Sequence, residues 1–198
     1  MNYRQPARTG PRPTVLAALM VGCALLIGVL AYKPLASLAP SAVSSVGVPP
    51  GLHHDPPGVS VFADDIPSVA HLDPDLRDAL RRAATDAAEE GIELVVNSGW
   101  RSPEYQAQLL REAVSTYGSE TEAARWVATP DTSAHVSGDA VDIGPTTATT
   151  WLSAYGAGYG LCQIYANEPW HYELRPDAVD YGCPAPYADP TEDPRMRQ

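Results

Sequence analysis

Between residues 64 and 185, apolar positions recur at two spacings that predict alternating helices and short strands. Leu76, Ala79, Leu80, Ala83 and Ala87 lie three or four apart and form one apolar stripe of a helix. Asp73 stands at its N-cap, Pro74 in its first turn and Gly91 just past its end. Ile92 to Asn97 is β-branched and apolar, and reads as a strand. "SPEYQAQLLREAV" predicts a second helix, capped by Ser102 with Pro103 at its first position. "SETEAARWVA" opens with the capping box Ser119 and Glu122 and predicts a third, short helix. Ala140 to Ile143 follows as a strand, and "TTWLSAYG" as a short helix. "LCQIYA" and "WHYELR" are two strands close enough to pair as a hairpin. The fold class expected is α+β, with helices packed on a small, mostly antiparallel sheet.

The N-terminal third follows another pattern. Residues 1–14 form a basic, Pro/Gly-containing segment with Arg4, Arg8 and Arg12. Residues 15–32, "VLAALMVGCALLIGVLAY", are apolar and uncharged. A helix of that length rises about 27 Å, close to the hydrocarbon thickness of a bilayer. It reads as a transmembrane anchor or signal segment, with the arginines on the cytoplasmic side and the bulk of the chain outside. Its length favours an uncleaved anchor, while the small residues Ala36 to Ala39 offer a cleavage region. Residues 33–63 are rich in proline and serine and read as a linker. In "HHDPP" at 53–57, a solvated linker outweighs a weak metal site. The globular domain is expected over 64–185, with an irregular tail at 186–198.

Charge sharpens this division. Residues 1–33 carry four of the 13 basic residues and none of the 24 acidic ones, so nine basic face 24 acidic in the rest. That balance argues against a nucleic-acid partner. Of three cysteines, Cys23 falls in the apolar run. Cys162 and Cys183 remain as a pair, and an oxidising compartment predicts a disulfide between them.

The unusual polar residues concentrate in "SGWRS" at 98–102, "SAHVSGDAVDIG" at 133–144 and "NEPWHYE" at 167–173. Both histidines of the latter half, His135 and His171, fall inside them. Singly, His135 reads as a loop histidine, Asp142 as a turn residue and His171 as part of an aromatic core. Together, two imidazoles and a carboxylate make a zinc set of the hydrolytic kind, leaving one tetrahedral position for water. A bound cation would also explain why Asp142 enters an apolar strand, and Gly138 lets the chain turn between the ligands. Glu168, three residues before His171, is the candidate general base. Asp139 and Glu173 compete for that role, with Asp139 read as a solvent-facing loop residue. Arg101, between a strand and a helix cap, suits a substrate carboxylate or a developing oxyanion.

Ser133, His135, Gly138, Ala140 and Asp142 together match, in spacing and type, the metal motif of the zinc D-alanyl-D-alanine carboxypeptidases of the VanY type, in the M15 peptidase family. "EPWHYE" resembles the family's second motif, and "SGWRS" its upstream "SGYRS", with Trp100 in place of the tyrosine. The resemblance spans roughly residues 64–185. It implies the fold shared by zinc D,D-peptidases and the Hedgehog signalling domain. It also implies a single zinc ion held by His135, Asp142 and His171, Glu168 as base, and Arg101 stabilising substrate or transition state. Ser133 and Gln106 match positions that contact the peptide, and Ala134 departs from the charged or larger residue of many relatives. The implied partner is a peptidoglycan stem peptide ending in D-Ala-D-Ala, reached from a membrane-anchored monomer. The same metal set serves a D-Ala-D-Ala dipeptidase, an L-alanyl-D-glutamate endopeptidase, or a wall-binding module without catalysis.

Overall fold

The computed structural model describes Asp55 and residues 57–197. The basic N-terminus, the apolar run at 15–32 and most of the linker, with His53 and His54, lie outside the described residues. Among the described residues no helix is long and apolar enough to cross a membrane.

The chain order is β1 (Val59–Ser60), α1 (Pro67–Ala70), α2 (Pro74–Glu89), β2 (Val95–Ser98), α3 (Pro103–Tyr117), α4 (Glu120–Ala123), α5 (Ala134–Ser137), β3 (Ala140–Gly144), α6 (Thr146–Tyr155), β4 (Leu161–Gln163), β5 (His171–Leu174) and α7 (Ala178–Tyr181). The five strands form one sheet in the order β1-β2-β3-β5-β4, with every pairing antiparallel. The α+β architecture expected from the spacing is the one observed.

Local chemistry accounts for the helices. The Asp73 carboxylate accepts from the backbone N–H of Asp75 and Leu76 at 2.9 and 3.2 Å and caps α2, a contribution of about 1 kcal/mol. Ser102 caps α3 by accepting from Tyr105 N, and Ser119 caps α4 by accepting from Glu122 N. The stripe Leu76, Ala79, Leu80, Ala83 and Ala87 is buried. It packs with Ala148, Trp151 and Leu152 of α6 against Val96, Val141, Ile143, Leu161 and Tyr172 of the sheet. Each large side chain buried this way contributes about 1.5–3 kcal/mol.

Strand alternation then decides what lies on the other face. Val141 pairs with Tyr172 and both enter the helical core. Their neighbours Asp142 and His171, opposite one another in the register, therefore point to the opposite face. A smaller cluster of Cys162, Ile164, Tyr165 and Ala178 with Met196 forms elsewhere in the domain. Cys162 and Cys183 are bonded, with Cα atoms 5.5 Å apart.

Several boundaries differ from expectation. β2 begins at Val95 rather than Ile92, because Ile92 N donates to Ala87 O and continues the turn that ends α2. α3 runs on to Tyr117, where Gly118 adopts φ 81° and closes it. "SAHVS", expected as loop, makes the one-turn helix α5. Ordered structure continues on both sides of residues 64–185. Val59–Ser60 pairs with β2 and Val61 is buried in the core, although a two-residue strand among prolines has no readable period. The tail, expected to be irregular, forms 3-10 turns at Pro190–Glu192 and Pro194–Arg197 and packs on the domain through buried Asp189 and Asp193.

Candidate active site

The site assembles from three strands of the sheet, one short helix and one turn. β3 supplies Asp142, β5 supplies His171 opposite it, and β2 places Ser98 on Asp142's other side in the register. α5 delivers His135 from the segment just before β3. The turn between β4 and β5 carries Glu168, held where Glu168 N donates to Tyr165 O and His171 N donates to Glu168 O.

Two glycines make the close approach of α5 possible. Gly138 ends the helix at φ 85°, and a Cβ there would meet His71 O at 2.5 Å. Its own carbonyl accepts from Asp73 N at 2.9 Å, which ties the start of α2 to the site loop. Gly99 packs directly on the Ser68 carbonyl, where a Cβ would collide. Its oxygen lies 2.8 Å from His135 Nδ1. An N–H on Nδ1 donating to that carbonyl leaves Nε2 as a lone-pair donor.

His135 Nε2 lies 3.3 Å from Asp142 Oδ1, and His171 Nδ1 lies 3.2 Å from the same oxygen. The donor atoms of all three lie within 4.8 Å of one another, and all three residues are buried. A tetrahedral ion with bonds of about 2.0–2.1 Å spaces its ligand atoms roughly 3.3 Å apart, and the two spacings to Asp142 Oδ1 match that figure. The remaining ring nitrogen of His171, Nε2, faces Glu173 Oε1 at 3.4 Å. Both imidazoles therefore turn one nitrogen to a supporting oxygen and the other to the cluster, the arrangement metal-ligating histidines adopt.

The charges are strongly perturbed. Burial alone would raise Asp142, but the His135 and His171 rings hold its carboxyl well below the usual range. Burial lowers His135, aided by Arg101 and opposed by Asp142. His171 is raised to about 9: burial opposes this, and its contacts with Asp142 and Glu173 outweigh burial. Burial pushes Glu168 up to about 7, against the pull of His171. Glu168 Oε2 lies 3.8 Å from His171 Nδ1.

Arg101 is braced by three bonds. Its Nε donates to Ser98 Oγ at 2.9 Å, and its two terminal nitrogens donate to Gln106 Oε1 at 3.2 Å and Asp142 Oδ2 at 3.1 Å. Gln106 is buried and also donates from Nε2 to Ala128 O at 2.8 Å. A guanidinium has five N–H donors, so these contacts orient it without exhausting it.

These residues line a cleft of about 310 Å³ together with Ser133, Ala134, Leu109, Trp126, Val127, Ala128, Tyr165, Trp170, Pro190 and Met196. His135, Asp142, His171, Glu168, Arg101, Ser133 and Gln106 all border this cleft. Asp139 does not; it is exposed and accepts from Ser137 Oγ at 2.7 Å. Glu173, weighed from sequence only as a rival base, sits behind His171 instead. Its place two residues along a strand, on His171's own face, is the sequence signal for that role. Pro190 and Met196 carried no such signal.

A profile of the VanY family, D-alanyl-D-alanine carboxypeptidase, matches residues 69–177. A D-alanyl-D-alanine carboxypeptidase of Enterococcus faecalis is 31% identical over 126 residues, which is 51% of this chain and 46% of that protein. The chain thus spans just under half the length of that curated relative. Among solved structures, VanYB in complex with D-Ala-D-Ala is similar with a TM-score of 0.52 and 26% identity, over 56% of this chain and 74% of that one. The LdcB LD-carboxypeptidase, whose structure concerns peptidoglycan recognition, is similar with a TM-score of 0.52 and 26% identity, over 65% and 73%. With the profile matching more than half of its residues, this chain belongs to the VanY family.

Proposed function

We propose that the chain is a zinc-dependent D,D-carboxypeptidase that removes the terminal D-alanine from peptidoglycan stem peptides ending in D-Ala-D-Ala. It works outside the membrane as a monomer, with the apolar run at 15–32 as its anchor or signal. The observation that carries this reading is the convergence of His135 Nε2, Asp142 Oδ1 and His171 Nδ1 on one point beside a buried carboxylate, Glu168. VanYB, a similar protein, is known in complex with D-Ala-D-Ala, and that supports the substrate.

The donor set of two imidazoles and one carboxylate suits zinc. When bound, zinc supplies a Lewis acid that polarises the scissile carbonyl and brings the pKa of a water down to about 7. Glu168 takes the proton from the attacking water and passes it to the departing amine nitrogen. Its burial makes the carboxylate a stronger base than an exposed glutamate. Arg101, held by Ser98, Gln106 and Asp142, directs its remaining N–H donors at the oxyanion or at the terminal carboxylate of the peptide. Ser133 and Gln106 border the peptide at the cleft wall.

The likeness to an L,D-carboxypeptidase supports a second reading with the same chemistry, in which the bond cut joins an L-configured residue to a terminal D-alanine. The test is to incubate the full chain, loaded with zinc, separately with a pentapeptide stem ending in D-Ala-D-Ala and with the tetrapeptide that lacks the last alanine. Mass analysis follows the products. Loss of one alanine from the pentapeptide alone supports the D,D reading, and loss from the tetrapeptide supports the L,D reading. Release of the dipeptide, or a cut nearer the start of the stem, would replace both by the dipeptidase or endopeptidase. Zinc retained with no cut would leave a wall-binding module.

A further inference from the structure

The C-terminal segment lies beyond the part of the chain that matches the family profile, yet it contributes to the wall of the cleft. Tyr187 N donates to Ile164 O at 2.9 Å, and Ala166 N donates to Tyr187 O at 2.8 Å. Arg125 Nε donates to Asp189 Oδ2 at 2.9 Å. Buried Asp193 accepts from Tyr165 Oη at 3.1 Å and from Arg195 Nε at 3.0 Å. Pro190 and Met196 then form part of the cleft wall.

Arg195 continues inward. Its two terminal nitrogens donate to the two oxygens of Glu173, at 2.7 Å to Oε2 and 3.1 Å to Oε1. This is the two-point fork that fixes the plane of a carboxylate as well as neutralising it. Glu173 is 1% exposed and uses the same Oε1 to face His171 Nε2 at 3.4 Å. Neutralisation alone does not require Arg195, since Arg175 also donates to Glu173 Oε2, at 2.8 Å. Only the Arg195 fork reaches Oε1, the oxygen turned to the imidazole. Tyr165, held by Asp193 of the same segment, lies against the His171 ring with centroids 5.0 Å apart.

We propose that Arg195 is a positioning residue of the metal centre: through the buried Glu173 carboxylate it fixes the orientation of the His171 imidazole, so that Nδ1 faces the His135–Asp142 pair. The C-terminal segment is thereby part of the active site. The inference rests on the reading of His171 as a metal ligand.

The experiment measures zinc affinity by chelator competition, and the visible spectrum of the cobalt-substituted protein, for the full chain and three variants. Loss of a partner that orients a ligating histidine weakens metal binding by roughly 10–100-fold. Arg195→Ala is expected to weaken zinc by that factor and to change the cobalt spectrum. Arg195→Lys, which keeps the charge and loses the fork, is expected to fall between wild type and Arg195→Ala. Arg125→Ala loosens the same segment through Asp189 without touching Glu173, and is expected to leave zinc affinity and the cobalt spectrum as in wild type. Wild-type affinity and spectrum in both Arg195 variants would overturn the positioning role. So would equal weakening by Arg125→Ala, which would assign the effect to the fold of the segment. If Arg195→Ala does not fold, the lysine variant reads the same ratio. A wild-type chain that binds neither zinc nor cobalt would remove the metal reading itself and this inference with it, and the wild-type arm alone shows that.

Discussion

Asp142 and His171 face one another across the β3–β5 pairing, with Oδ1 and Nδ1 3.2 Å apart. The register that buries Val141 against Tyr172 on one side of the sheet is the same register that sets this pair on the other. A slip of one residue would exchange the two faces. Core packing therefore holds the geometry of the metal-binding pair, and His135 joins it at 3.3 Å from the same oxygen.

Removing Asp142 tests that geometry. Asp142→Asn keeps one carbonyl oxygen but takes away the negative charge that faces both imidazoles and meets Arg101 at 3.1 Å. The variant is expected to lose stoichiometric zinc and all hydrolysis. Metal content after gel filtration checks this, and full zinc occupancy would count against Asp142 as a ligand.

Glu168→Gln separates chemistry from binding. The amide keeps the shape of the buried side chain but cannot take a proton. Turnover is expected to fall by roughly 10²–10⁴-fold, with zinc content unchanged. A rate within a few-fold of wild type would move the base elsewhere.

Metal binding should release a proton. His171 is raised to about 9 in the metal-free chain, where its contacts with Asp142 and Glu173 overcome burial, so near neutral pH its ring is protonated. A ligating imidazole must be neutral. Zinc then displaces the proton, and apparent affinity rises with pH until the metal-free ring titrates near 9. Calorimetry in two buffers of different ionisation enthalpy reads the proton directly. Identical heats in both would contradict the prediction.

Gly138→Ala is expected to damage fold and site together. The position holds φ 85°, and a Cβ would meet His71 O at 2.5 Å. The left-handed conformation alone costs a non-glycine residue about 1–3 kcal/mol, and the collision adds to it. Thermal unfolding should show a lowered midpoint and metal titration a weakened site.

The parts of this molecule that follow local rules are legible in its sequence. The stripe from Leu76 to Ala87 with its Asp73 cap, and the hairpin of β4 and β5, depend on spacing and on capping chemistry within a few residues. The candidate metal donors His135, Asp142 and His171, and Glu168 beside them, stand out because their types and spacing resemble a known motif. What escapes is long-range. Arg195 meets Glu173 across 22 positions of chain, and no period or cap announces that contact. Val59–Ser60 is too short to show alternation, and its place in the sheet comes from β2. Gln106, read as a peptide contact, also braces Arg101 and the Ala128 carbonyl, a role that only the packed helix α3 reveals.

Native mass spectrometry and product analysis on one preparation test the central claim most directly. The account predicts one zinc per chain and the loss of a single alanine from the D-Ala-D-Ala pentapeptide. It also predicts that a chelator abolishes the cut, and that Glu168→Gln slows it by roughly 10²–10⁴-fold with zinc still in place. A chain that cuts equally well after complete zinc removal, or that holds one zinc and leaves every stem peptide intact, would contradict it.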